Sequence, residues 1–63
     1  MNAKKTLQER EQELQPLLAT PAGREELQEL ASRYYAASGR LKPAGTSTIT
    51  YILVYEREQG LIR

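Results

Sequence analysis

Only one stretch of this chain, TSTITYILVY from Thr46 to Tyr55, has the β-branched, alternating make-up of a strand. A strand leaves its backbone N–H and C=O groups for a neighbour to satisfy. No other segment has comparable β character, so a strand here would need a second copy of the chain. Coiled into a helix, the same residues put Ile49, Ile52, Leu53 and Glu56 on one i, i+3, i+4, i+7 stripe flanked by Tyr51 and Tyr55. Thr46 then serves as the N-cap, and Gly60 closes the helix with Leu61 folding back behind it. The β-branched residues cost a few tenths of a kcal/mol each in helix propensity, an amount that packing overrides. A helix over 47–59 is the expected state. The alternative is an α+β fold in which this segment is a strand paired in a dimer. Glu56 is the awkward member of the helical stripe.

The rest of the chain reads as two further helices. Over 3–19, Ala3, Leu7, Leu14 and Leu18 share a thin stripe interrupted by Arg10 and Glu11. Pro16 lacks an amide proton and clashes with the preceding turn, so this helix should bend or end near Gln15. The second helix, over 21–38, is better punctuated. Thr20 suits its N-cap, Pro21 its first position, and Gly39 its left-handed close. Glu25 and Glu26 lie near the positive end of its dipole. Leu27, Leu30, Ala31, Tyr34 and Ser38 form its inner face, and Glu29 and Arg33 are ordered for an i, i+4 pair. RLKPAG is a loop in which Leu41 is expected to tuck inward. The expected architecture is all-α: a small three-helix bundle in one domain spanning 1–63.

Composition removes whole classes of function. With 63 residues, the chain sits near the lower limit for unaided folding. It has no cysteine and no histidine, which excludes disulfides, thiolate chemistry and the commonest general base and metal ligand. Every acid is a glutamate, and the aspartate-rich calcium loop and the phosphate-cradling Gly-Lys-Ser/Thr turn are both missing. No cofactor and no metal are expected. No apolar run approaches membrane-spanning length, and the N-terminus lacks an apolar signal core, so a cytoplasmic protein without membrane association is the expectation. The formal net charge is only +1. Arg33, Arg40 and Lys42 form a small acid-free basic region, which is more often a solvated surface than a binding patch.

STITYILVYEREQGLIR resembles the recognition helix and following segment of MarR-like winged-helix regulators. Ser47, Thr48, Ile49, Ile52, Leu53, Gly60, Leu61 and Ile62 match that pattern in order and spacing, and ELASRY (Glu29 to Tyr34) is similar to the preceding helix of a helix-turn-helix. The sequence departs from it in four ways. The connection through RLKPAG is longer than the tight turn of such motifs. Tyr51 and Tyr55 stand where basic side chains are favoured, Glu56 replaces a core leucine, and the sequence stops before a wing. The resemblance therefore implies a wingless, helix-turn-helix-like core.

Two functions follow, neither enzymatic. The first is a DNA-binding module. In it Ser47, Thr48, Thr50 and Tyr51 approach phosphates or base edges while Arg40, Lys42 and Arg57 neutralise phosphates. The second is a protein-interaction or self-associating module, as a homodimer or with another protein, through Tyr35, Tyr51, Val54 and Tyr55. No catalytic residues are expected, because the paired glutamates fall on an open helix surface and a chain this short has little room for a water-excluding pocket.

Overall fold

A computed structural model describes residues 4–63. Among these residues the elements are α1 (Leu7–Leu14), a 3-10 turn (Gln15–Ala19), α2 (Pro21–Ser38) and α3 (Thr48–Glu58), and no strand forms. The chain is an all-α three-helix bundle. The alternative of a C-terminal strand paired in a dimeric α+β sheet is overturned, because the β-branched segment coils into α3. A helix satisfies its backbone within the segment. It also delivers Ile49, Ile52 and Leu53 together to the core, where each is at most 5% exposed.

α1 opens with a reciprocal cap. The Glu9 N–H donates to Thr6 Oγ1 at 3.1 Å, and the Thr6 N–H donates to Glu9 Oε1 at 2.9 Å. The first helix thus starts at Leu7 rather than at residue 3, and Ala3 lies outside the described residues. Pro16 acts as expected: beyond Leu14 the winding tightens into the 3-10 turn. Tightening also corrects the apolar stripe. At three residues per turn Leu17, not Leu18, falls in line with Leu14. Leu17 packs on the core, whereas Leu18 is left 46% exposed.

α2 is capped by Thr20, whose Oγ1 accepts from the Gly23 N–H at 3.0 Å. It closes at Gly39, whose φ of 71° is the left-handed conformation that glycine adopts freely. Its inner face is the expected one, with Leu27 buried and Leu30, Ala31 and Tyr34 packed around the core. Among the described residues the Glu29–Arg33 ion pair does not form, and an exposed pair of that kind adds little. Gly23 is buried for a different reason. A β-carbon there would lie 2.2 Å from the Leu17 carbonyl oxygen, so α2 and the 3-10 turn touch backbone to backbone.

α3 is capped by Ser47, not by Thr46 as expected. Ser47 Oγ accepts from the Thr50 N–H at 3.1 Å. Thr46 is held in the preceding turn instead, its N–H donating to the Pro43 carbonyl at 3.1 Å. At the other end the Leu61 N–H donates to the Glu56 carbonyl (2.8 Å) and the Gly60 N–H to that of Arg57 (3.1 Å), with Gly60 at φ 76°. This end usually presses the second residue past the cap onto an apolar neighbour one turn back. Here that neighbour is Glu56, so Leu61 stays 57% exposed and Ile62 turns inward at 6%. Leu41 also departs from expectation, at 75% exposed. Its loop is anchored by polar bonds: the Tyr51 hydroxyl donates to the Arg40 carbonyl and Lys42 Nζ to the Thr46 carbonyl, each at 2.5 Å.

The core comprises Leu14, Leu27, Ile49, Ile52, Leu53 and Ile62, drawn from all three helices and the C-terminal segment. Arg63 clips that segment to the start of α1. Its N–H donates to the Lys5 carbonyl (2.9 Å) and its C=O accepts from the Leu7 N–H (3.2 Å). No helix among the described residues is long and apolar enough to cross a membrane. The close approach at Gly23 gives a direct test. Gly23→Ala, favourable in most helix interiors, should here lower stability by about 1–3 kcal/mol, because a backbone oxygen must yield. Urea titration followed by circular dichroism reads the change.

Candidate functional site

The residue that sits least comfortably in the apolar stripe organises the polar side of the bundle. Glu56 is 3% exposed. Arg10 of α1 grips it in a two-pronged bond, Nε to Oε1 at 2.8 Å and Nη2 to Oε2 at 2.9 Å. The Tyr34 hydroxyl of α2 donates to Oε2 at 2.6 Å. One carboxylate thus joins all three helices. Among the described residues no buried side-chain nitrogen or oxygen lacks a partner. The Tyr34 ring stacks on Tyr55, with centroids 4.1 Å apart and planes at 17°. Burial, together with the hydrogen bond to the Glu56 carboxylate, pushes the Tyr34 hydroxyl up to about 12. The Glu56 carboxylate holds Arg10 further toward its protonated form. Arg10 also reaches Glu13 through Nη1 at 3.0 Å. Hydrogen bonds first from Lys5 and then from Arg10 hold Glu13 below the usual carboxylate range.

On the far side of Tyr55 lies an apolar groove of about 270 Å³. The end of α2, the 39–47 loop and the outer face of α3 form it. Its apolar lining is Leu41, Pro43, Tyr51, Val54 and Tyr55, and its polar rim includes Arg40 and Glu58. These two charges pair across the rim, which raises Arg40 and lowers Glu58 relative to their ordinary values. A shallower groove adjoins it, with Tyr35 and Thr48 in its wall and Leu41 and Tyr51 shared between the two.

The residues expected to meet DNA are largely occupied within the chain. Arg40 pairs with Glu58, Lys42 caps the Thr46 carbonyl, and Tyr51 donates to the Arg40 carbonyl. Ser47 caps α3 and donates to Thr50 Oγ1 at 2.9 Å. Thr48 is half-buried, and Arg57 is exposed in the last turn of α3. Of the residues expected at an interface, Tyr51, Val54 and Tyr55 converge on the apolar groove, while Tyr35 lies on the adjoining one. Leu41, Pro43 and Glu58 belong to the groove and were not among the expected site residues. Leu41 gave a misleading signal, since a lone leucine in a polar loop reads as an inward anchor. Nothing in the local sequence marks Glu58 as a partner of Arg40.

Breaking the Glu56 network should be costly. Glu56→Ala leaves Arg10 Nε and Nη2 and the Tyr34 hydroxyl unmatched, with an expected loss of about 3 kcal/mol; this is the low end for a buried pair because Arg10 reaches solvent and keeps Glu13. Replacing both partners, Arg10→Met with Glu56→Leu, should recover most of it, as read in urea melts. The alkaline limb offers a second test. The Tyr34 hydroxyl is raised in the folded state, so its stabilising effect is intact below its unfolded value near 10 and is lost as pH rises through about 12. Tyr34→Phe should flatten the fall in stability between those values. No protein-family model, curated protein or solved structure matches this chain.

Proposed function

We propose that this chain is a non-enzymatic protein-interaction module whose docking face is the groove between the end of α2, the 39–47 loop and α3. One observation carries this reading. Leu41 stands 75% exposed beside a groove of about 270 Å³ lined by Pro43, Tyr51, Val54 and Tyr55. Contiguous apolar surface of this kind, rimmed by polar groups, is characteristic of interaction sites. Val54 and Tyr35, each 47% exposed, extend it. Such side chains cost free energy in water, and a partner that covers them regains it.

Binding to DNA, as the resemblance to MarR-like regulators would imply, is less well supported. It requires donors and cations free to meet phosphates. Lys42, Ser47 and Tyr51 would each have to leave an internal partner first.

Photo-crosslinking tests the proposal. A photoreactive residue in place of Leu41, in cells that make the chain, should give a discrete adduct that peptide mass spectrometry identifies as protein. The same residue at Ala36, exposed on α2 and not part of either groove's lining, should give none. Absence of any adduct from position 41 overturns the reading. So does salt-sensitive binding to a mixed-sequence duplex in fluorescence anisotropy, which would restore the DNA-binding alternative.

A further inference from the structure

We infer that the occupant of the groove is a second copy of this chain. The two copies would be related by a two-fold axis, with Leu41 of each entering the groove of the other and Arg40 of each meeting Glu58 of the other. This rests on the interaction reading above and adds the identity of the partner.

Three features of the face favour a copy of itself. First, projection and recess occur together: Leu41, 75% exposed, belongs to the walls of both the apolar groove and its shallower neighbour. A two-fold axis pairs each projection with the other chain's recess, which is the geometry of a self-complementary interface. Second, the rim carries one cation and one anion, Arg40 and Glu58. Their side chains are 60% and 45% exposed in the internal pair. An ion pair that open to water contributes little, so exchanging it for the equivalent pair across an interface costs little. A strongly acidic or strongly basic partner would meet one favourable and one unfavourable rim charge, whereas a copy meets two favourable ones. Third, the chain needs added burial and has the surface to supply it. Among the described residues the core holds six buried apolar side chains, few for a fold without disulfides. A standard interface takes about 800 Å² per partner. The face running from Gln28 through the loop to Glu58 is the part of the 4658 Å² surface where exposed Leu41, Val54 and Tyr35 cluster.

Sedimentation equilibrium of the purified full chain, combined with rim charge reversal, tests this. The wild type should dimerise reversibly. Arg40→Glu places two acids on each rim and Glu58→Arg two cations, so either variant alone should dimerise at least about tenfold more weakly. Both changes are at exposed positions, and circular dichroism should show unchanged helix content. Mixing the two variants in equal amounts should restore association to within a few-fold of wild type. Within either chain the internal pair stays broken, so recovery on mixing can come only from contacts between chains. A wild type that remains monomeric up to about 1 mM overturns the inference. So does a wild-type dimer that is indifferent to both variants, or a pair of weakened variants that mixing does not rescue. If the inference fails while position 41 still crosslinks to a different identified protein, the interaction reading survives. If no adduct forms at all, both are lost.

Discussion

The hydrogen-bonded carboxylate of Glu56 holds the rest of the arrangement in register. Without it α1, a short helix of eight residues, would rest on the bundle through little more than Leu14, part of Leu7 and the clip at Arg63. Gripped by Arg10 on one side and Tyr34 on the other, Glu56 fixes both neighbouring helices against α3. A buried ion pair is not automatically stabilising, since desolvation offsets much of the attraction. Its directional bonds favour one packing geometry over the others that six aliphatic side chains would allow.

From that junction a line of contacts leads to the outer groove. Tyr34 stacks on Tyr55, and Tyr55 forms part of the groove wall next to Val54. The polar knot and the apolar recess are therefore on opposite sides of one aromatic pair. The 39–47 loop completes the recess, and internal hydrogen bonds rather than an apolar plug hold it in place. That arrangement leaves Leu41 outside. At the start of α3 the Ser47 hydroxyl is occupied within the chain, accepting from the Thr50 N–H and donating to Thr50 Oγ1.

Much of the fold was legible because its signals are local. Thr20, Pro21 and Gly39 bound α2 as their backbone chemistry requires, and Pro16 ends α1 where its missing amide dictates. Thr6 and Glu9 were an equally legible reciprocal cap that the apolar pattern, starting further upstream, obscured. Other details depended on neighbours distant in sequence. Ser47 displaced Thr46 as the cap because Pro43 holds the Thr46 backbone in a turn. Ile62 displaced Leu61 in the core because Glu56 occupies the place of an apolar neighbour one turn back.

The sequence by itself favoured three helices over a strand paired in a dimer, because its one β-like segment has no partner within the chain. It also determined where most of them would begin and end, because hydrogen-bond satisfaction and capping act over a few residues. Only the tertiary structure decided that Arg10, a charge within an apolar stripe, would complete it by meeting Glu56, 46 positions away. It likewise decided that Leu41 would face outward and that Arg40 would reach Glu58. Each depends on where the helices lie in space, and the pairing of charges across that space leaves no periodic trace along the chain.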